Sequence, residues 1–340
     1  MSNRIKRLQV PPPSDYPLPS PRPPSPRPRR GRRLRKRPGT TILTVALVAA
    51  LALLFLWVCV LIVGLPLILA GKEGSRVNLL LLGVDRRDGD EWAYRADTVI
   101  VAGVDAGSGE AVLLSIPRDL QLPIPGHGED RINTANVYGY LEDYPGGGPA
   151  LVEATVESNM GIPIDGYLMA DFNAFERLVD ALGGIEIDVT ETLHDTDYPD
   201  PRPEDPYAFK TVHFDPGLQT MDGQRALEYA RSRMSTSDFD RARRQQEVLV
   251  AIRQKALSPG SLLRLPALGL IVLDSLETNL SPREVMALGL LAVRLDPSRL
   301  ERVVLEPPLV YGYVRADGAA VELPNWELIN PVVAEHFGSP

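Results

Sequence analysis

The chain contains very little cysteine and histidine. Among its 340 residues are one cysteine, Cys59, and four histidines. Because Cys59 lies within a long apolar stretch, the polar remainder of the chain can form neither a disulfide nor a thiolate metal site. No two of the histidines have the spacing of paired zinc ligands, so the sequence does not indicate a zinc enzyme.

Several common catalytic motifs are also missing. The sequence has no G-x-x-x-x-G-K-[ST] phosphate-binding loop, no H-E-x-x-H metalloprotease motif and no G-x-S-x-G nucleophile motif. None of these templates therefore competes with chemistry based on carboxylates and arginines, which are the charged residues that the sequence groups together.

Positive charge is concentrated at the N-terminus. Residues 1–39 contain 12 Lys and Arg and one acidic residue, Asp15, so with a formal net charge of -8 for the whole chain the remainder carries -19. Residues 41–70 contain no charged side chain and exceed the ~20 residues that span a bilayer. We predict one transmembrane helix at residues 40–70. The alternative, a cleaved signal peptide, has an apolar core of only about 7–15 residues followed by a small-residue cleavage site.

The basic segment also predicts the topology. Basic residues next to a membrane span stay on the cytoplasmic side, so residues 1–39 form a disordered, Pro-rich cytoplasmic tail and residues 71–340 form an extracytoplasmic domain. By charge alone, residues 26–38 would suit a nucleic-acid-binding arm. Their position beside the span favours an orientation signal, and we expect a single-pass cell-membrane protein that has no nucleic-acid partner.

The part after the span has the pattern of a layered α/β domain. Residues 77–85, 97–105 and 110–119 are apolar runs with polar ends, typical of strands buried on both faces, and "AGSG" between the second and third indicates a hairpin turn. Helix and strand patterns alternate over residues 148–190. Residues 191–222 are rich in Asp and Pro and resemble a long surface excursion. Residues 238–257 follow as a helix with Asp238 as its N-cap.

The strand ends carry a group of charged residues. Asp85 ends the first strand, Asp97 begins the second and Arg118 follows the third, so antiparallel pairing would bring all three to one edge, where α/β sheets bind ligands. Two carboxylates without histidine suit Mg²⁺ held together with phosphate oxygens. The alternative is a structural ion pair between Asp97 and Arg95 or Arg118.

A second charged group lies in "EYARSRMSTSDFDRARRQQ", residues 228–246. Helical spacing places Arg241, Arg244 and Gln245 on one stripe that continues as Val248 and Ile252. A stripe that begins basic and becomes apolar predicts arginines at the edge of a pocket, whereas the alternative is a solvated charged face. A planar guanidinium group can donate two parallel hydrogen bonds to two phosphate oxygens, so several converging arginines favour a pyrophosphate ligand.

These residues also carry a family resemblance. The segments "LLLLGVDRRD", "RADTVIVAGVD", "LLSIPRDL", "DRINTANVYGY", "GIPIDGYLMADFNAFERLVDALGGIEIDV" and "GLQTMDGQRALEYARSRMSTSDFDRARRQQ" together resemble the LytR-CpsA-Psr family over about residues 77–257. The resemblance implies a three-layer α/β/α domain with a central mixed sheet behind one transmembrane helix. It also implies an Mg²⁺-dependent phosphotransferase that moves a glycopolymer from a polyprenyl-pyrophosphate carrier to a hydroxyl of the cell-wall glycan, forming a phosphodiester, with membrane lipid as a further partner.

The resemblance assigns roles to individual residues. Asp85, Asp97 and Arg118 are the expected catalytic residues, and Asp85 and Asp97 are also the expected Mg²⁺ ligands. Asp85 is in addition the candidate for assisting deprotonation of the acceptor. The residues expected to bind the pyrophosphate are Arg95, Arg118, Arg131, Arg231, Arg233, Arg241, Arg244 and Gln245.

Two other functions fit the same residues. A membrane-anchored pyrophosphatase would cleave the lipid-linked pyrophosphate without joining the polymer to the wall. A noncatalytic envelope regulator would bind an anionic, lipid-linked ligand, although paired acids at strand ends have no obvious use in such a protein.

Overall fold

The computed structural model describes residues 76–86, 94–200, 205, 208–233, 237–262, 269 and 274–338. The strands are β1 (Arg76–Val84), β2 (Ala96–Asp105), β3 (Ala111–Ile116), β4 (Gln121–Ile124), β5 (Gly128–Arg131), β6 (Gly166–Asp171), β7 (Ile185–Val189), β8 (Leu193–Pro199), β9 (Phe209–Phe214), β10 (Gly217–Met221), β11 (Glu277–Thr278), β12 (Leu300–Val304), β13 (Val310–Val314) and β14 (Ala320–Pro324). The helices are α1 (Ile132–Leu141), α2 (Gly147–Met160), α3 (Phe172–Leu182), α4 (Gly223–Arg231), α5 (Asp238–Ala256), α6 (Pro259–Leu262), α7 (Pro282–Arg294) and α8 (Trp326–Phe337).

A six-stranded mixed sheet forms the centre of this domain. Its strand order is β11-β6-β1-β2-β3-β12. β2 runs antiparallel to both of its neighbours, β1 and β3, while β6 pairs parallel with β1 and β12 pairs parallel with β3. The predicted mixed α/β domain is thereby confirmed, as are the β2–β3 hairpin and the strand positions predicted for β1, β2 and β3.

The apolar run of β1 is buried on both sides of the sheet. Leu80 and Leu82 belong to a core that includes side chains of α1, α2 and α8. Leu79 faces the opposite way and packs with Leu291 of α7. A strand covered on both faces loses the usual alternation of apolar and polar residues, which is why the sequence of β1 is continuously apolar.

Residues 191–222, expected to be a surface excursion, contain three strands. β8 pairs with β9, and β10 pairs with β7. Leu193, Tyr198 and Phe214 are buried in a second core that also contains side chains of α3, α4 and α5. The excursion interpretation was therefore wrong for much of this segment, because solvent-facing Asp, His and Thr residues between the buried positions obscure the alternating pattern of β8 and β9.

The N-cap of helix α5 is Ser237, one residue before the predicted Asp238. The Ser237 hydroxyl accepts a hydrogen bond from the Asp240 amide at 3.1 Å, and the Asp240 carboxylate accepts one from the Ser237 amide at 2.9 Å. This reciprocal pair is a capping box. It fixes the first turn of α5, from which Arg241 projects.

Within the part of the chain that the structure describes, no helix combines the length and apolarity needed to cross a bilayer. The predicted span, residues 40–70, and the predicted cytoplasmic tail, residues 1–39, lie outside those residues. Both stay predictions.

Candidate functional site

A cavity of about 210 Å³, here called the first cavity, lies between the sheet and helices α3, α4 and α5. It opens over the face of the sheet that carries Leu81 and Ile100, which are paired across β1 and β2. Its apolar lining residues are Leu81, Leu82, Gly83, Ile100, Ala170, Phe172, Phe175, Pro199, Leu227, Ala230, Val248 and Leu249. Its polar lining residues are Asp97, Thr98, Arg118, Asp171, Arg231, Arg233, Arg241 and Gln245.

A second cavity, of about 180 Å³, adjoins the first. The two share Asp97, Thr98, Arg118, Arg241 and Gln245. Because the shared residues are polar, the charged end of the first cavity is the end that meets the second. The second cavity adds the carboxylates of Asp119, Asp238 and Glu322, and its apolar lining comes from Val99, Ile116, Pro117, Phe239, Ala242 and Val304.

Two of the three residues expected to meet at the strand ends, Asp97 and Arg118, do so at this junction, whereas Asp85 lines neither cavity. Arg118 donates a hydrogen bond from Nη1 to Asp97 Oδ1 at 2.7 Å, and its Nε lies 3.3 Å from Asp119 Oδ2. Burial acts to lower the pKa of Arg118, but the Asp97 and Asp119 carboxylates outweigh it, so the pKa is raised and Arg118 stays cationic. The ion pair considered as an alternative for Asp97 thus exists, and it lies inside the site.

Arg231 lies at the end of α4 in a cage of aromatic and acidic groups. Its Cζ atom is 3.8 Å from the centre of the Phe172 ring, and its Nη1 donates to Tyr198 Oη at 3.3 Å. Its Nη2 is 3.5 Å from Asp85 Oδ2. Phe172 comes from the start of α3 and Tyr198 from β8, so the cage joins three distant segments. Planar stacking of this kind suits a guanidinium group and not an ammonium group.

Arg233 is positioned by a buried carboxylate that the sequence did not single out. Asp195 is 2% exposed, and its Oδ2 accepts hydrogen bonds from the Ser232 hydroxyl and the Arg233 amide, both at 2.8 Å. These bonds hold the chain just after α4. The Arg233 side chain lines the first cavity, with its Nε 3.3 Å from Asp238 Oδ1.

Arg241 is buried in the wall between the cavities. It is 8% exposed, and its Nη1 lies 3.7 Å from Asp238 Oδ1. Burial lowers the pKa of Arg241 to about 10, and the nearby cations Arg233 and Arg118 add to the effect. At neutral pH the side chain is still cationic. A buried cation crowded by other cations is stabilised by an anionic ligand, which is the property required of a phosphate-binding group.

Arg244 is directed elsewhere. Its Nε donates to the Tyr229 carbonyl at 3.0 Å, and its Nη2 donates to the Ser232 carbonyl. Although helical spacing put Arg244 on the stripe of Arg241, its guanidinium group binds the C-terminal end of α4 and does not line either cavity. In this position Arg244 supports the segment that carries Arg231 and Arg233.

The two remaining expected arginines also lie outside both cavity linings. Arg131 has its Nε 3.4 Å from Asp119 Oδ1 and donates from Nη2 to the Ala320 carbonyl at 2.5 Å. It thereby supports Asp119 and, through it, Arg118. Arg95 is exposed, immediately before β2 and two residues before Asp97.

Gln245 and its neighbour Gln246 have different roles. Gln245 lines both cavities. Gln246 is 1% exposed and donates from Nε2 to the Leu113 carbonyl at 3.1 Å, the Ser115 hydroxyl at 2.9 Å and the Val303 carbonyl at 2.9 Å. Gln246 therefore anchors α5 to strands β3 and β12, and this anchor sets the depth at which Gln245 and Arg241 enter the site.

We expect Gln246→Ala to lower the free energy of unfolding by about 1–3 kcal/mol, because buried acceptors on two strands lose their donor. Gln245→Ala is the matched control and should change stability by less than about 0.5 kcal/mol while weakening binding of a pyrophosphate lipid. Denaturant unfolding and lipid titration of the full chain measure both quantities. Equal loss of stability in the two variants would contradict the assignment.

Glu322 is a site residue that no sequence pattern indicated. It lies on β14, its amide donates to the Asp119 carbonyl at 3.0 Å, and its side chain lines the second cavity. Burial raises the pKa of Glu322, and the neighbouring carboxylates of Asp119 and Asp238 raise it further. A carboxylate of raised pKa is a better proton acceptor than an ordinary surface glutamate.

The donor set at the strand ends fits magnesium in one specific way. Asp85 directly follows β1, Asp97 lies on the neighbouring strand β2, and among the described residues no cysteine or histidine lines either cavity. Within the described ranges, no group of three or more Asp, Glu, His and Cys residues is arranged to hold a metal ion. Two carboxylates fit Mg²⁺ when water and substrate phosphates complete its coordination, so the fit depends on a phosphate ligand.

The chain is similar to one protein family and to several named proteins. The sequence model of the LytR_cpsA_psr family matches residues 67–308. An Oceanobacillus iheyensis protein named polyisoprenyl-teichoic acid–peptidoglycan teichoic acid transferase TagU is 33% identical over 219 residues, which are 64% of this chain and 63% of that protein. The Enterococcus faecalis protein of the same name is 34% identical over 222 residues, 62% of this chain and 66% of that protein. A Staphylococcus aureus protein named regulatory protein MsrR is 28% identical over 222 residues, 64% of this chain and 61% of that protein. The matched segment thus spans less than two thirds of each relative.

Solved structures share the fold. TagT bound to LIIa-WTA has a TM-score of 0.59 at 27% identity, with 78% of this chain and 91% of that chain covered. The LytR-CPS2A-psr family protein YwtF (TagT) with bound octaprenyl pyrophosphate lipid has a TM-score of 0.55 at 26% identity, with 78% and 91% covered. Protein gbs0355 from Streptococcus agalactiae has a TM-score of 0.64 at 20% identity, with 78% and 89% covered, and shows the fold alone.

Proposed function

Because this chain belongs to the LytR_cpsA_psr family, we propose that it transfers a glycopolymer from a polyprenyl-pyrophosphate carrier to a hydroxyl of the cell-wall glycan, forming a phosphodiester. The observation that carries the proposal is the first cavity. Its apolar lining from α3, α4 and α5 suits a polyprenyl chain, and the arginines at its polar end suit a pyrophosphate.

Two relatives support this proposal through their names. The Oceanobacillus iheyensis and Enterococcus faecalis proteins are both named as teichoic acid transferases that act between a polyisoprenyl-linked polymer and peptidoglycan. The TagT structure contains octaprenyl pyrophosphate, a ligand with the same division into an apolar chain and a charged head as the first cavity.

The proposed reaction is a displacement at phosphorus. An oxygen of the acceptor hydroxyl bonds to the sugar-proximal phosphorus, and the bond from that phosphorus to the bridging oxygen breaks, so polyprenyl phosphate leaves with the bonding electrons. Arg118, Arg231 and Arg241 hold the pyrophosphate oxygens and neutralise the charge that develops on them. Positioning and charge neutralisation supply most of the catalysis in phosphoryl transfer.

The hydroxyl proton needs an acceptor. Asp85 was expected to assist, but it faces the Arg231 guanidinium at 3.5 Å, an arrangement that favours a charge partner. Glu322 lines the second cavity and has a raised pKa, so we assign the proton to its carboxylate. Below this pKa Glu322 is protonated and cannot accept the hydroxyl proton, so the rate of glycopolymer transfer should fall as the pH is lowered.

Glu322→Gln should lower the rate of transfer and remove its decrease at low pH, because glutamine does not titrate. The rate measured as a function of pH tests this; an unchanged pH profile would exclude the assignment.

Magnesium and the membrane complete the proposal. Asp85 and Asp97 would hold Mg²⁺, which would supply additional charge neutralisation on the pyrophosphate. The predicted span at residues 40–70, with the basic tail on the cytoplasmic side, would place the domain outside the membrane, where both the lipid carrier and the wall glycan are accessible.

The full-length chain in detergent micelles, given a polyprenyl-pyrophosphate-linked glycopolymer and wall glycan, tests the proposal. Polymer covalently joined to the glycan, together with released polyprenyl phosphate, is the expected result. Free phosphorylated glycopolymer without joining would instead show a pyrophosphatase. Binding of the lipid without either product would favour a regulator, the role in the name of the MsrR relative.

The apolar lining makes a separate prediction about the lipid. Leu249→Asn should weaken binding of octaprenyl pyrophosphate about 5- to 30-fold, because an apolar contact of about 1–2 kcal/mol is lost, and should leave binding of inorganic pyrophosphate unchanged. Val250→Asn is the control, since Val250 is a similarly half-buried neighbour on α5 that does not line the cavity. Isothermal titration of the full chain measures both ligands, and equal effects in the two variants would argue against a lipid in this cavity.

A further inference from the structure

A third cavity, of about 500 Å³, lies beside the site and plays no part in the proposal above. We call it the amide cavity, because side-chain amides of Gln121, Asn159 and Asn330 line it together with the Ser158 hydroxyl and the rings of Tyr311 and Trp326. Its volume is within the roughly 300–1,000 Å³ of small-ligand sites. It is built by β4, β5, the end of α2, the β13–β14 hairpin and α8.

The chemistry of the amide cavity selects a neutral, hydroxyl-rich ligand. Amides both donate and accept hydrogen bonds, and the flat faces of Tyr and Trp pack against the C–H surfaces of sugar rings. No Lys or Arg is among its described lining residues, and Glu129 is its one charged residue there. Pyrophosphate and polyanionic glycopolymers are therefore disfavoured, in contrast to the first and second cavities.

One polar atom of this cavity lacks a partner. Gln121 donates from Nε2 to Glu129 Oε2 at 2.9 Å, which fixes the orientation of its amide. Its Oε1 is shielded from water and accepts no hydrogen bond from the residues that the structure describes. An unsatisfied acceptor of this kind is unfavourable by about 1–3 kcal/mol, and rotation of the Gln121 side chain toward the cavity would expose it to a ligand hydroxyl.

The amide cavity adjoins the second cavity across two short strands. Leu120 forms a β-bridge with Glu322, and the Glu322 amide donates to the Asp119 carbonyl at 3.0 Å. Asp119 and Glu322 line the second cavity, whereas Gln121 and Leu323, close to them in sequence, line the amide cavity. The amide cavity is thus a neighbour of the cavity that contains Glu322 and the Asp97–Arg118 pair, with β4 and β14 between them.

We propose that the amide cavity binds the acceptor, as a neutral sugar unit of the wall glycan. This assignment of the sugar as acceptor rests on the proposed function, although sugar binding itself does not. Tyr311, Leu323, Pro324, Trp326 and Asn330 all lie beyond residues 67–308, the part matched by the family model. The C-terminal segment of this chain then contributes half of the residues that line the acceptor site, and Gln121, Pro123, Glu129, Ser158 and Asn159 contribute the other half.

Two tyrosines of β13 provide a matched test. Tyr311 and Tyr313 are 53% and 52% exposed, and only Tyr311 lines the amide cavity. With a neutral β-1,4-linked N-acetylglucosamine tetrasaccharide as the probe, titrated into the full chain in detergent, Tyr311→Ala should weaken binding about 5- to 10-fold. Asn330→Ala should weaken it about 3- to 10-fold, and Tyr313→Ala should leave it unchanged. All three variants should bind octaprenyl pyrophosphate like the parent chain.

Three results would overturn the proposal: no tetrasaccharide binding by the parent chain at millimolar concentration, equal losses in the two tyrosine variants, or stronger binding of poly(glycerol phosphate) than of the tetrasaccharide. Turnover separates this inference from the proposed function. Sugar binding that depends on Tyr311 in a chain with no transferase activity would retain the subsite and reject its role as acceptor site. Transfer with an acceptor KM raised by Tyr311→Ala, at unchanged kcat and donor KM, supports both.

Discussion

Asp97→Asn should lower the turnover of glycopolymer transfer by about 100- to 1,000-fold, the range for loss of one preorganised electrostatic group. The substitution preserves the shape of the side chain and removes its charge. Arg118 then loses the carboxylate that lies 2.7 Å from its Nη1, and the proposed Mg²⁺ site loses one of its two protein ligands. Since one remaining carboxylate rarely retains a cation that keeps most of its waters, the residual turnover should no longer respond to Mg²⁺.

Direct metal binding separates the two roles of Asp97. Electron paramagnetic resonance of Mn²⁺, titrated into the full chain with octaprenyl pyrophosphate present, should show weaker binding in Asp97→Asn than in the parent chain. Asp105→Asn, at the other end of β2, is the control and should match the parent chain. If Asp97→Asn reduces turnover yet keeps the parent Mn²⁺ affinity and Mg²⁺ titration, Asp97 acts only as the ion-pair partner of Arg118.

Arg231→Lys should weaken binding of octaprenyl pyrophosphate nearly as much as Arg231→Ala, by roughly 10- to 150-fold, which corresponds to about 1.5–3 kcal/mol. Lysine keeps the charge but loses the planar group that stacks 3.8 Å from the centre of the Phe172 ring while one nitrogen bonds to Tyr198. An ammonium group on a flexible stem cannot reproduce both contacts and also bind two phosphate oxygens.

Arg243→Ala is the control for charge alone. Arg243 is 46% exposed, pairs with Asp240 and Glu306, and lines neither the first nor the second cavity. Exposed ion pairs contribute little, so lipid binding should stay within about twofold of the parent chain. Equal weakening by Arg243→Ala and Arg231→Ala would mean that the arginines form a diffuse basic surface and not a binding site.

The sequence alone was sufficient for the three strands β1, β2 and β3 and for the meeting of Asp97 with Arg118. Both follow from local rules: a continuous apolar run marks a strand buried on two faces, and antiparallel hairpins return their ends to one edge. Asp85, the third residue expected at this edge, lies instead 3.5 Å from Arg231 and lines neither cavity. The length of each apolar run and the position of the turn after it determine these strands and the hairpin between β2 and β3.

The direction of each arginine was decided by the tertiary structure. Helical spacing could place Arg241 and Arg244 on one stripe of α5, but it could not show that one part of this stripe lines the cavities while another part packs against α4. Arg241 meets the cavities, and Arg244 meets the carbonyl groups at the end of α4. The adjacent glutamines of α5 also have different roles that spacing could not show, because Gln246 is the buried anchor and Gln245 lines the cavities.

Residues brought from distant segments had no sequence signal at all. Asp195 in β8 holds the chain around Arg233, Tyr198 contacts Arg231, and Glu322 in β14 enters the second cavity. Each is an ordinary polar residue in its local context, and its role arises from burial and from partners more than 30 positions away in the chain. Composition, spacing and apolar pattern thus determined which strands and which charged groups this protein has, whereas long-range packing decided which of those groups share a cavity, because burial and proximity are properties of the folded chain.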